Sequence, residues 1–117
     1  VRTIIAGSRE GFTYDDIHTK MEQVLLRDRF PVTCVFCGGA RGVDTFGADY
    51  AKAMGIPVEY HIASWETYGK RAGFMRNESM AANADALIAF WDGKSKGTKH
   101  MIDTAMEYGL WIKVFWK

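Results

Sequence analysis

The chain has 117 residues, 48% hydrophobic and 25% charged, with 15 Lys and Arg against 14 Asp and Glu and a formal net charge of +1. This is the composition of an ordinary globular chain with length for one domain spanning residues 1–117, and its near-neutral charge argues against a general polyanion binder. No apolar run is long enough for a membrane span and no basic start leads into an apolar leader, so a cytoplasmic location without membrane contact is the expectation.

Short β-rich runs alternate with longer stretches of helical period, the pattern of βαβ units around a parallel sheet. The first predicted strand is Arg2 to Ala6. A helix follows from Thr13 or Tyr14, with Asp15 and Asp16 at the positive end of its dipole and Ile17, Met21, Val24 and Leu25 on its inner stripe. The second strand is Val32 to Cys37, opened by Pro31. The helix after Asp44 turns Phe46, Tyr50, Ala51 and Met54 inward and stops at Gly55. Val58 to Ile62 is the third strand, and Gly73 to Asn83 the third helix. Ala86 to Trp91 is the fourth strand. A helix from Gly97 to Tyr108 then places Met101, Ile102, Ala105 and Met106 inward, with Gly109 as its stop, and Trp111 to Phe115 is the last strand. Right-handed crossovers with one reversal give a doubly wound Rossmann-like α/β fold, a five-stranded parallel sheet in the order 3-2-1-4-5. Ligands of such folds bind at the reversal, between strands one and four.

Three strand ends meet helix starts through turns of Gly, Ser, Thr and Arg. They are Gly7-Ser8-Arg9, the run Gly38-Gly39-Ala40-Arg41-Gly42-Val43-Asp44, and Trp91-Asp92-Gly93-Lys94-Ser95-Lys96-Gly97-Thr98. Glycine lets a backbone approach a ligand, and the free amides of a helix start attract phosphate. Arg9, Arg41 and Arg76 add forked donors for phosphate or carboxylate, and Ser8 and Thr98 add hydroxyls. Asp44 or Asp92 would accept from a ribose or base. Neither G-x-x-x-x-G-K-[ST] nor G-x-G-x-x-G occurs, which excludes a standard P-loop or dinucleotide site. Lys94, Lys96 and Lys99 surround the last turn, where they either attract an anion or form a solvated loop.

Other residues point away from chemistry. Cys34 and Cys37 form C-x-x-C inside an apolar strand, which directs them to opposite faces and makes them buried thiols. His18, His61 and His100 are scattered singly, so neither a metal site nor a Ser/His/Asp triad is expected, and no cofactor is implied. Trp111, Phe115 and Trp116 either pack in the last strand or leave an apolar patch for a partner subunit.

Taken together, "GSR" at Gly7 to Arg9, "GGARGVD" at Gly38 to Asp44, "ASWETYGKRAGFMRNESM" at Ala63 to Met80 and "GTKHMIDTA" at Gly97 to Ala105 resemble the SLOG superfamily, and within it the YspA-like, YpsA-related group. The resemblance spans nearly the whole chain, and with the small size and the aromatic last strand it implies a homodimer. It implies a nucleotide or nucleotide-derived ligand held by the first glycine turn, the Gly38-Gly39-Arg41-Gly42 turn and the Gly97-Thr98 helix start. It also implies that residues Trp65 to Asn77 fold over the cleft, bringing Arg76 and Asn77 to the ligand, with Trp65 and Tyr68 either stacking on it or simply packing.

A sister group, the Lonely Guy phosphoribohydrolases, cleaves base from ribose 5′-monophosphate with a helix arginine and the glutamate of a P-G-G-x-G-T-x-x-E string. Arg76 falls where that arginine would be, but Met101 stands in place of the glutamate and Trp91-Asp92-Gly93 replaces the Pro-Gly-Gly start. Asp92, Glu78 or Asp44 would have to supply the carboxylate that glycosidic cleavage needs. A sensing or sequestering module is therefore the first reading and a nucleoside-monophosphate N-glycosidase or nucleotide hydrolase the second. Single-stranded nucleic-acid handling, as in the related DprA domain, comes third, because the charge is near neutral.

Overall fold

Helix and strand boundaries follow from local chemistry over residues 1–117, all of which the computed structural model describes. Strand β1 (Arg2–Gly7) precedes α1 (Tyr14–Glu22), which continues into a π-helical turn at Gln23–Arg27. At the start of α1, the Thr13 hydroxyl accepts from the Asp16 amide and the Asp16 carboxylate accepts from the Thr13 amide, a reciprocal capping box. Thr13→Ala is expected to lower stability by about 1 kcal/mol, read as a shifted denaturant midpoint.

Strand β2 is Cys34–Cys37, followed by α2 (Val43–Ala53) and β3 (Val58–Tyr60). Both strands are shorter than the sequence implies. Arg2 pairs with Cys34 at the head of β1, so Val32 and Thr33 have no ladder partner. At the other end β2 stops at Cys37, leaving β3 only three paired positions, Val58, Glu59 and Tyr60, and a last bond from the His61 amide to the Cys37 carbonyl. A short helix α3 (Trp65–Tyr68) and a 3₁₀ turn at Gly69–Arg71 lead into α4 (Ala72–Asn83). Strand β4 (Ala86–Trp91), helix α5 (Lys96–Glu107) and strand β5 (Trp111–Trp116) complete the chain.

All strand pairs are parallel and the sheet order is β3-β2-β1-β4-β5, as the sequence predicts. Alternate residues of β1 and β4 face opposite layers. Ile5, Ile88 and Phe90 pack with Ile17, Met21 and Tyr50 of α1 and α2, while Ile4, Ala6, Leu87 and Ala89 pack with Met80, Met101 and Ala105 of α4 and α5. Each fully buried Ile, Leu, Met or Phe among them contributes roughly 1.5–3 kcal/mol. No helix is long and apolar enough to cross a membrane.

Two predicted inward methionines point out. Met54 is 44% exposed because α2 ends at Ala53 and the chain turns away through Gly55. Met106 is 65% exposed because the buried stripe of α5 is Thr98, Met101, Thr104 and Ala105, and residue 106 lies past its edge. The C-terminal aromatics each rest on one neighbour, Trp111 on Phe30 at 4.2 Å, Phe115 on Phe90 at 5.2 Å and Trp116 tilted against Trp91 at 5.0 Å, yet Trp111 stays 45% and Trp116 65% exposed. Cys37 is buried and donates its thiol proton to the Asp44 carbonyl at 3.0 Å, and burial pushes the thiol up to about 11. Cys34 is half-buried against the opposite layer.

Candidate functional site

The turns after β1, β2 and β4 meet above the sheet reversal because their backbones interlock. Ser8 donates its amide to the Phe90 carbonyl at 3.0 Å and accepts from the Val43 amide at 3.3 Å, while its hydroxyl accepts from the Asp92 amide at 3.2 Å. One residue thus joins all three turns. Gly42, with φ +77°, carries its Cα so close to the first turn that a Cβ would stand 2.4 Å from the Arg9 carbonyl oxygen.

Between these turns and helices α4 and α5 lies an open cleft of about 500 Å³, a size within the range of small-molecule sites. Its floor is apolar, from Ala6, Met80 and Met101, and its walls are polar. They carry Ser8, Arg9, Arg41 and Asp44 on one side, and Arg76, Asn77, Asp92, Gly97 and Thr98 on the other.

Arg76 is fixed by two bonds. Its Nη1 donates to the Gly38 carbonyl at 2.8 Å and its Nε to Asn77 Oδ1 at 3.0 Å. Asn77 in turn donates through Nδ2 toward the Gly97 carbonyl at 3.3 Å and His100 Nδ1 at 3.1 Å, and Phe74 stacks on the His100 ring at 4.1 Å. This brace ties the β2 turn to α4 and α5 and leaves the remaining guanidinium N–H groups for a ligand. Gly38 is needed here for closeness: a Cβ would lie 2.3 Å from Arg76 Nη1 and 2.9 Å from Asp44 Oδ2. At α5, the Ser95 hydroxyl caps the Thr98 amide at 3.4 Å and meets the Thr98 hydroxyl at 3.0 Å. The Lys96 and Gly97 amides have no intrahelical acceptor, as in the first turn of any helix.

The acidic groups differ sharply. Asp92 accepts from the Lys94 and Ser95 amides at 2.8 and 2.9 Å, which hold its carboxyl below the ordinary carboxylate range. Asp44 is 6% exposed, and burial raises it from 3.8 to about 6 against the opposing pull of Arg76, the Ala40 and Gly7 amides and Arg9. Between those two values the folded chain retains a proton at Asp44 that the unfolded chain has released, so stability falls as pH rises through that window. Lowering pH from about 7 to about 5 is expected to raise the urea midpoint, and Asp44→Asn to flatten that rise. At the cleft mouth Arg41 Nη2 meets Glu10 Oε1 at 3.2 Å, an exposed pair of small energetic weight.

Of the residues singled out from sequence, Gly7, Ser8, Arg9, Arg41, Asp44, Arg76, Asn77, Asp92, Gly97 and Thr98 border one cleft. Gly38, Gly39 and Gly42 shape the turn behind it instead of lining it. Trp65 does not reach it: the ring, 51% exposed, lies against Gly73, and Tyr68 is likewise outside. Glu78 is exposed, because the inner face of α4 is Ala72, Asn77, Met80 and Ala81. Glu10, Ala40 and Ser95 also border the cleft. Ser95 carried a readable signal, a helix-capping serine three residues before Thr98.

Comparison with known proteins bears on these residues. The model of the family described as YspA, cpYpsA-related SLOG family matches residues 1–68, which include the first two glycine turns. A relative, "Gene 61 protein" of Mycobacterium phage D29, is 35% identical over 115 residues, covering 93% of this chain and 91% of the phage protein. No solved structure matches significantly.

Proposed function

The chain belongs to the YspA, cpYpsA-related SLOG family, and from that premise we propose that its cleft binds a small nucleotide or nucleotide-derived phosphorylated ligand, as a sensing or sequestering module. The observation that carries this reading is Arg76: a guanidinium braced by Gly38 and Asn77 and bordering the same cleft as the α5 helix start. Preorganised donors of this kind favour phosphate, since little side-chain freedom remains to be lost on binding. In this reading Ser8, Arg9, Arg41, Gly97 and Thr98 complete the phosphate contacts, and the apolar floor at Met80 and Met101 takes the flat part of the ligand.

Of the three carboxylates considered for cleavage, Asp44 is the one left, since Glu78 faces away and Asp92 is held by its own turn, while Glu10 at the mouth pairs with Arg41. Calorimetry with ribonucleoside mono- and diphosphates tests the proposal. At least one nucleotide is expected to bind and to be displaced by pyrophosphate, with no free base appearing on incubation. Base release that disappears in Asp44→Asn would replace the binding module by a hydrolase. Oligonucleotides are not expected to bind, because the three arginines bordering the cleft are matched by Glu10, Asp44 and Asp92. The proposal includes a homodimer over the Trp111 and Trp116 edge; a monomeric mass by sedimentation at micromolar concentration would remove that part.

A further inference from the structure

We propose that Asp44 reads the vicinal diol of a ribose, so that the cleft selects ribonucleotide ligands over their deoxy forms. The inference rests on the nucleotide reading of the cleft given above and deepens it. Asp44 combines two properties that no other carboxylate here shares: it is 6% exposed, and it borders the cleft. Its Oδ2 accepts from the Ala40 amide at 3.3 Å, and the Gly7 amide helps to hold the carboxyl down. A carboxylate offers about four acceptor positions, so acceptor capacity remains.

No ion pair takes up that capacity. Arg76 Nη1 and Asp44 Oδ2 lie 2.3 and 2.9 Å from the same point above Gly38, yet Nη1 is directed to the Gly38 carbonyl at 2.8 Å. A guanidinium and a buried carboxylate thus stand side by side without closing on each other. Asp44 leaves no oxygen both buried and unpartnered, so its free acceptor opens on the cleft, where a ligand donor replaces water. A fully ionised phosphate cannot be that donor, because two acceptor-only anions repel. A vicinal diol can. Its two hydroxyls donate to the two carboxylate oxygens, and their own lone pairs remain for the neighbouring arginine.

The contact requires the ionised carboxylate. The charged and titratable groups facing Asp44 are Arg9 from the β1 turn, Arg76 from α4 and the Cys37 thiol of β2. The arginines stay charged and the thiol, pushed up to about 11, stays neutral at working pH, so the diol contact changes with Asp44 itself.

The test measures Kd for the tightest ribonucleotide found by calorimetry and for its 2′-deoxy and 3′-deoxy forms. At about pH 8 the ribo form is expected to bind at least about tenfold tighter than either, as a charge-assisted bond implies. That ratio is expected to shrink toward about twofold at pH near 5 and in Asp44→Asn. Equal binding of the deoxy forms at the higher pH, or an undiminished ratio in Asp44→Asn, would overturn the inference. If Asp44→Asn does not fold, the pH series on the unmodified chain decides. Nucleotide and pyrophosphate binding with no ribo preference defeats the diol contact alone, whereas binding of no nucleotide defeats the cleft reading and this inference together.

Discussion

Arg76→Ala is expected to weaken binding of the phosphorylated ligand by about a hundredfold, corresponding to one or two charge-assisted bonds of roughly 1.5–3 kcal/mol each. The loss has two sources. The guanidinium charge leaves the cleft, and the brace from the Gly38 carbonyl to Asn77 loses its centre. Arg76→Lys separates them, because an ammonium keeps the charge but lacks the fork that serves Gly38, Asn77 and a ligand together. Its affinity is expected to fall between those of the parent and the alanine variant. Gly38→Ala offers a third route, since the added Cβ would stand 2.3 Å from Nη1 and force the side chain out without changing any charge. A loss in Gly38→Ala comparable to that in Arg76→Lys would mark orientation as the main contribution. Calorimetric Kd values for the three variants decide, with urea melts to verify that each remains folded.

Gly42→Ala is expected to destabilise the fold by about 3 kcal/mol, which would lower the urea midpoint sharply. Two costs combine at this position. The backbone holds φ +77°, disfavoured for any residue with a Cβ, and that Cβ would lie 2.4 Å from the Arg9 carbonyl oxygen and 2.7 Å from the Arg9 Cα. These are backbone atoms and cannot rotate away. The β1 and β2 turns would have to separate, straining the Val43 amide bond to the Ser8 carbonyl. Gly109→Ala isolates the first cost, because Gly109 has φ +72° with nothing within 4 Å of the added carbon. It is expected to cost about 1 kcal/mol. Equal effects at the two positions would show that the turns are not closely packed.

The order of the sheet was legible because apolar runs and helical stripes alternate, and the crossover rule leaves few arrangements. The meeting of the three turns followed from that order. Side-chain direction was harder to read. Glu78 and Asn77 are adjacent, and only the phase of α4, set by Met80 and Ala81 against the sheet, decides which one turns inward. Met54 and Met106 failed for a similar reason: an apolar residue at the end or edge of a stripe has no neighbour to bury it. Trp65 was placed by resemblance, but its ring finds a flat surface at Gly73, a contact invisible before α3 and α4 are folded together. Asp44 illustrates the converse. Its position in the turn was readable, but its raised pKa depends on burial by the surrounding turns, which no local pattern encodes.

Amide chemical-shift mapping tests the cleft most directly. The ¹⁵N-labelled chain is titrated with ribonucleoside mono- and diphosphates. The largest shifts are expected at Ser8 and Arg9, at Ala40 and Arg41, and at Gly97 and Thr98, with α1 and β3 little changed. Absence of shifts with every nucleotide, or shifts centred on the separate groove of Phe12, Lys20 and Trp116, would contradict a phosphorylated ligand at the sheet reversal.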